Sequence, residues 1–487
     1  MNSEMEMEDP LIVQILPDHR TSPPSPTYIF TKPKPKPSKP ILLLIFASVV
    51  SFAMTLGILF VFYSVLFSGW NHRSSFRYSV VIDAGSSGTR AHVFRYWLES
   101  SGKPVFDFGK ENYASLKLNP GLSSYADNPE EASVSLKELV EFAKGRVPKR
   151  MLKNSDIRLM ATAGMRLLQE TVQEQILEVT RGVLRSSGFR FRDEWASVIS
   201  GSDEGMYAWV VANYALGSLG GDPLQTTGII ELGGASAQVT FVSSEPVPPE
   251  LSRTITYGNV SYKIYSHSFL HYGQDAAQKD HLESLQNSGE GIVTDPCTPK
   301  GYILNKNSHK DSSGFLVEEY KLTASVQAAG DYSKCRSATL AMLQEGKENC
   351  SSKHCSIGST FTPDLQGRFL ATENFYYTSK FLGLEEKNWL SEMISAGKSF
   401  CGEEWSTLKA KYPKTKEKYL RGYCFSSAYI ISMLHDSLGF ALDDQRIKFA
   451  NKAGEKGISL DWALGAFILN TPTATCDYFA KSRKMLS

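Results

Sequence analysis

Two stretches of this 487-residue chain follow one plan. Val80-Val81-Ile82-Asp83-Ala84-Gly85-Ser86-Ser87-Gly88 runs as an apolar strand, an acid and a Gly/Ser-rich turn, and a second strand through Ala91-His92-Val93-Phe94 follows. Gly228-Ile229-Ile230-Glu231-Leu232-Gly233-Gly234-Ala235-Ser236 repeats the order and returns through Val239-Thr240-Phe241. A repeated strand–acid–turn–strand unit predicts two related lobes, each presenting one turn to a shared cleft. The elements around the first unit alternate. A helix is expected over 129–147, with Leu136, Leu139, Val140 and Ala143 on one face, then a strand at 157–160, a helix ending near Leu184, a short strand at 198–200 and a helix over 205–216. Such alternation is the pattern of an α/β fold.

The turns suit phosphate. Glycines without a Cβ let the backbone approach an anion, and successive N–H groups form an anion-binding concavity. Ser86, Ser87, Thr89 and Ser236 add hydroxyl donors. Asp83 and Glu231 then stand where phosphate should bind. A carboxylate ~4 Å from a phosphate charge is repelled by about 4 kcal/mol at an effective dielectric near 20. A divalent cation reverses the sign, since carboxylate, phosphate oxygens and waters together coordinate Mg²⁺ or Ca²⁺. Turns and acids together therefore imply a metal–polyphosphate complex.

Hydrolysis needs an activated water. Gly201-Ser202-Asp203-Glu204-Gly205 lies at a strand-to-helix junction, and either Asp203 or Glu204 can serve as general base there. Thr162 and Arg166 lie in a similar junction, Ala161-Thr162-Ala163-Gly164-Met165-Arg166, where Thr162 can hold the water and Arg166 can offset phosphate charge. Other phosphate chemistries fit less well. Gly397-Lys398-Ser399 lacks the earlier glycine of a P-loop, because Glu392 occupies its place. No G-x-S-x-G elbow or H-E-x-x-H pair occurs.

Composition is that of a globular protein, 42% apolar and 21% charged with a formal net charge of +1, which gives a nucleic-acid partner no support. The N-terminus differs. Residues 1–40 are rich in proline and lysine and favour an extended, solvated chain. Residues 41–67 contain no Asp, Glu, Lys, Arg or His, enough for a helix of roughly 40 Å that crosses a hydrocarbon core of about 30 Å with tilt. Lys32, Lys34, Lys36 and Lys39 before the span, against Arg73 and Arg77 after it, favour a cytosolic N-terminus. The expectation is a single-pass anchor with the bulk of the chain luminal or extracellular, in the Golgi, another endomembrane or the cell surface. The seven cysteines all fall from Cys297 to Cys476, and disulfides among them require an oxidising compartment. Two glycosylation triplets, Asn259-Val260-Ser261 and Asn349-Cys350-Ser351, agree.

Five ordered segments carry a family resemblance: 81–90, 161–166, 201–209, 231–238 and 461–466 resemble the apyrase conserved regions. The chain is similar to the apyrases, the ecto-nucleoside triphosphate diphosphohydrolase family, and its proline-rich tail and single anchor look most like a plant member. The resemblance implies a two-lobed fold related to actin and the Hsp70 ATPase domain (ribonuclease H-like), with the site in the interlobe cleft. The expected lobes are 75–200, joined by a returning 456–487, and 201–455. It also implies hydrolysis of terminal phosphates of nucleoside tri- or diphosphates by direct water attack, dependent on Ca²⁺ or Mg²⁺.

By motif match Glu204 is the base. Thr162, Ser236 and Gln238 place the water or assist the base, and Asp83 and Glu231 hold the metal through its water shell. Gly85, Ser86, Ser87, Gly88, Thr89, Arg90 and Arg166, with Gly233, Gly234 and Ala235, match the phosphate-binding positions. Tyr376 and Tyr429 match the aromatics that sandwich the base. Many members have Asp where Glu231 stands, and some cell-surface members have His where Gly88 stands. Glycine there is similar to members that favour diphosphates. The family pairing of cysteines implies Cys297–Cys335, Cys350–Cys355 and Cys401–Cys424, with Cys476 left over. A sugar or acetate kinase, or a non-catalytic nucleotide-gated module, would share the superfold. The first needs a cytosolic ATP supply and the second a peptide-binding domain for which no residues remain.

Overall fold

A computed structural model describes residues 39–74, 76–99, 104–287, 292–303, 325–350, 354–384 and 389–471. Most of the proline-rich tail, Cys476 and the rest of 472–487 lie outside these. One helix, Lys39–Ser74, forms a unit by itself. Its apolar section Phe46–Ser64 is long enough to cross a membrane, and none of it is buried by protein. Large apolar side chains such as Leu44, Phe46, Phe52 and Phe60 are exposed along it, which water does not tolerate on this scale and lipid does.

The second unit is built on two six-stranded sheets. In the first, β1 (Phe76–Ala84), β2 (Thr89–Leu98) and β3 (Pro104–Phe106) form an antiparallel meander, β4 (Tyr113–Leu118) also pairs with β2, and β5 (Asp156–Ala161) and β6 (Ala196–Val198) add in parallel beside β1. In the second, β7 (Gly228–Leu232), β8 (Ser236–Val242) and β10 (Val260–Leu270) are antiparallel, with β9 (Ser252–Tyr257) beyond β10. Here β11 (Phe369–Glu373) and β12 (Ile447–Phe449) add in parallel beside β7. Both sheets thus read as three antiparallel strands followed by two parallel ones. The duplication seen in two hairpins extends to the whole sheet order.

Strand alternation decides where the acids point. Val80 and Ile82 pack in a core with the helices Ala132–Arg146 and Glu170–Arg185, while Val81 faces a middle layer. Ile230 and Leu232 pack in the second sheet's own core, while Ile229 faces the same middle layer as Val81. The period of two then puts Asp83 with Val81 and Glu231 with Ile229, on the two faces that look at each other. The helices Gly201–Ala215 and Trp462–Asn470 fill that layer. They approach so closely that a Cβ at Gly465 would stand 1.8 Å from the Tyr207 carbonyl oxygen. The acids emerge where this packing stops.

The helix expected to begin at Gly205 begins at Gly201, because Ser200 caps it by accepting from Asp203 N at 3.1 Å. The disulfides Cys297–Cys335, Cys350–Cys355 and Cys401–Cys424 form as the family pairing implied.

Candidate active site

The two turns face each other. A Cβ on Gly234 would lie 2.8 Å from Ser86 Oγ, so the second turn reaches the first almost in contact. Gly88 is needed for another reason. Lys117, on β4, crosses over it and donates from Nζ to Ser87 Oγ at 3.3 Å, and a Cβ at position 88 would stand 2.4 Å from Lys117 Cε. The sequence reading missed Lys117, which lies in no motif and reaches the turn only through the β2–β4 pairing.

Register places the remaining groups. Asp83 pairs with Arg90 across β1–β2, and Glu231 pairs with Gln238 across β7–β8. Ser268 sits opposite Gln238 on β10. Gln238 Nε2 donates to Ser236 Oγ at 2.6 Å, to Ser268 Oγ at 3.0 Å and to Glu204 Oε2 at 3.4 Å. Arg166 Nη2 donates to the same Glu204 Oε2 at 3.0 Å, and Arg166 Nη1 donates to the Ile199 carbonyl at 3.1 Å. Arg166, its side chain 15% exposed, thus holds Glu204. Thr162 is buried beside the first turn, its N–H donating to the Ala84 carbonyl at 3.2 Å.

Glu204 and Asp203 separate cleanly. Glu204 is 9% exposed, and burial raises its pKa above the ordinary value although Arg166 pulls it down. The Asp203 side chain is 38% exposed and lies 3.6 Å from Arg253. Arg90 is committed to Asp461, the helix N-cap, at 2.6 Å. Burial alone would lift the Asp461 carboxyl, but it is held below its usual range. His92, Arg90 and the Ala463 N–H, which donates to Asp461 Oδ1 at 3.1 Å, lower it; burial pushes His92 itself down to about 4, so at neutral pH Arg90 and the Ala463 N–H remain.

Asp83 and Glu231 behave oppositely. Burial raises both well above the ordinary carboxylate range, assisted by Asp461 for Asp83 and by Glu204 and Glu373 for Glu231. Asp83 Oδ1 and Glu231 Oε2 are buried and accept no hydrogen bond among the described residues. Orphaned carboxylate oxygens on facing turns are costly without a partner, and hard oxygen donors of this kind suit Ca²⁺ or Mg²⁺.

Tyr429 does not fare as expected. Tyr429 is 0% exposed, its hydroxyl donates to the Tyr272 carbonyl at 2.9 Å, and its ring stacks on Phe425. It has no face for a nucleobase. Lys380 lies over the Tyr376 ring at 5.6 Å. Its neighbour Tyr377 is 49% exposed and in electrostatic reach of Glu373, Arg90 and Asp461, which brings an aromatic ring beside the cleft. Tyr377→Ala is expected to raise KM for nucleotide several-fold. Tyr429→Phe should leave KM unchanged and lower stability by about 1 kcal/mol, the worth of one hydrogen bond. Steady-state kinetics with thermal unfolding of both variants checks this.

The profile of the GDA1/CD39 (nucleoside phosphatase) family matches residues 70–483. The chain is 74% identical over 489 aligned residues to a protein named probable apyrase 5 from Arabidopsis thaliana, covering 98% of this chain and 99% of the relative. It is 32% identical to ectonucleoside triphosphate diphosphohydrolase 3 from Homo sapiens, covering 80% and 77%. The fold resembles a crystal structure of nucleoside triphosphate hydrolases from Neospora caninum, with a TM-score of 0.59 at 16% identity, over 85% of this chain and 96% of the other. Facing glycine turns and a profile match over most of the length together establish that the chain belongs to the GDA1/CD39 nucleoside phosphatase family of apyrases.

Proposed function

We propose that the chain hydrolyses the terminal phosphate of nucleoside tri- or diphosphates by direct attack of water, with a divalent cation, Ca²⁺ or Mg²⁺, held through Asp83 and Glu231. One observation carries this reading. Among the described residues both hydrogen bonds to the Glu204 carboxylate fall on Oε2, from Arg166 and Gln238, which leaves Oε1 to accept from a water. Arg166 and Gln238 fix the carboxylate, and burial raises its affinity for a proton toward the range a base needs. Thr162, Ser236 and Gln238 orient the water toward the terminal phosphorus. Glu204 takes the water's proton as the new P–O bond forms, and the bridging oxygen leaves with the shortened nucleotide. Backbone N–H groups of 85–89 and 234–236 receive the charge on the terminal phosphate. A cation held through Asp83 and Glu231 would neutralise phosphate charge and offset their two orphaned carboxylate oxygens. The helix Lys39–Ser74 anchors the chain, and the flanking lysines and three disulfides favour an extracytoplasmic catalytic part.

The test is phosphate release by the detergent-solubilised full chain from ATP, ADP, GDP and UDP, with Ca²⁺, Mg²⁺ or chelator. Release with a cation and none with chelator is expected. Failure with every nucleotide and cation sinks the reading. Protease treatment of sealed vesicles addresses sidedness, and cleavage of the bulk of the chain from the cytosolic face would reverse it.

A further inference from the structure

Glu373 is a cleft residue that neither turn contains. It ends β11, pairs with Leu232 of β7, and has a φ of +58°, a region that side-chain-bearing residues rarely adopt. Up to that point β11 alternates. Phe369 and Ala371 pack in the core of the second sheet, and Leu370 packs in the middle layer. Continued alternation would send Glu373 after Phe369 and Ala371 into an apolar core. The positive φ breaks the alternation. Glu373 N donates to Asn451 Oδ1 at 2.7 Å, and Asn374 Nδ2 donates to the carbonyls of Leu232 and Gly233 at 2.8 and 3.3 Å, so the bend is tied to the second turn itself.

The carboxylate comes into electrostatic reach of Arg90 and Lys117, on strands of the opposite sheet, of Asp461, the N-cap of the helix Trp462–Asn470, and of Tyr377 on the helix that follows. It accepts no hydrogen bond among the described residues. Lys117 has no carboxylate partner among them either; its one hydrogen bond goes to Ser87. A lysine beside a phosphate turn and an unpaired carboxylate across from it make a graded wall. The phosphate gripped by the turns meets a cation. The next part of the substrate, running toward Tyr377, meets an anion. Beyond the gripped phosphate a diphosphate has one further phosphate before its ribose, whose hydroxyls donate to a carboxylate, whereas a triphosphate has two and so carries one more charge past Glu373.

We propose that Glu373 is a specificity-determining residue that makes the cleft favour nucleoside diphosphates over triphosphates. This rests on the hydrolytic reading above and adds to it a preference for substrate length. The experiment compares kcat/KM for GDP and GTP, and for UDP and UTP, in the full-length protein, Glu373→Gln and Glu373→Gly. Gln keeps the size and removes the charge. Gly also removes the side chain that the backbone conformation disfavours, so it folds at least as well. Both are expected to raise the triphosphate-to-diphosphate ratio on the order of tenfold, the scale of one screened charge contact. Inhibition constants for non-hydrolysable di- and triphosphate analogues should move in the same direction. Unchanged ratios in both variants, beside an active parent protein, overturn the proposal without touching hydrolysis. So does a loss of Mn²⁺ binding, read by electron paramagnetic resonance without nucleotide, since it would put Glu373 in the cation's shell. An inactive parent protein would instead bring down the hydrolytic reading.

Discussion

Glu204→Gln should lower kcat by about a thousandfold and leave the affinity for a non-hydrolysable nucleotide within a few-fold of the parent. General-base catalysis contributes roughly 10²–10⁴, and glutamine cannot take the proton. The binding half follows from the contacts. Glutamine retains a carbonyl oxygen for Arg166 and Gln238, which now meet on Glu204 Oε2 at 3.0 and 3.4 Å. The turns that grip phosphate are untouched. Asp203→Asn provides the contrast, because that side chain is 38% exposed and pairs loosely with Arg253. It should stay within about twofold, as exposed pairs of this kind contribute little. Single-turnover phosphate release and analogue titration measure both. Near-normal turnover in the Gln variant, or an equal loss in the Asn variant, removes Glu204 as the base.

The choice between those two acids marks where the sequence stops being readable. Both lie in the first turn of one helix, and pattern alone cannot say which faces the cleft. The answer depends on where the helix begins. Ser200 caps it so that it starts at Gly201, four residues earlier than the sequence suggested, and that sets the angle of every residue that follows. The turns were legible because their chemistry is local: glycine, hydroxyl and acid stand side by side in sequence. Lys117, Ser268 and Glu373 were not, since each reaches the site through pairing with distant residues, and Asp461, though it opens a matched segment, did not show its pairing with Arg90. Tyr429 failed for the opposite reason. It sits at a matching place in the sequence, but its helix, Glu417–Ile431, is buried on most sides, so one aromatic among many packs inward. The shared sheet order was implied by the hairpin repeat, but only pairing the parallel strands β5 with β1 and β11 with β7 makes it explicit.

Asp83→Asn and Glu231→Gln should each abolish cation-stimulated phosphate release and, in chelator, stabilise the protein. The two effects have one cause. Folding buries both carboxyls and raises their pKa, so the folded state holds their protons more tightly than the unfolded chain does. Their contribution is therefore least unfavourable at low pH. It worsens as pH rises through the ordinary carboxylate range toward the raised folded values, where the full cost is present. Metal-free protein should gain stability from these two groups as pH is lowered from 7 toward 5. Asp461 and Asp295, whose carboxyls are held below the ordinary value, lose theirs only on further acidification through their depressed folded values. At pH 7 a saturating cation should raise the unfolding midpoint of the parent by ligand linkage. It should do little for either variant, whose stability in chelator is expected to exceed the parent's by roughly 1–3 kcal/mol of relieved desolvation. Thermal unfolding of all three proteins at pH 5 and 7, with Ca²⁺, Mg²⁺ and chelator, separates the contributions. A parent midpoint indifferent to both pH and cation would mean that the orphaned oxygens are satisfied by something other than a metal. The facing turns would then bind phosphate without the clamp that the two acids imply.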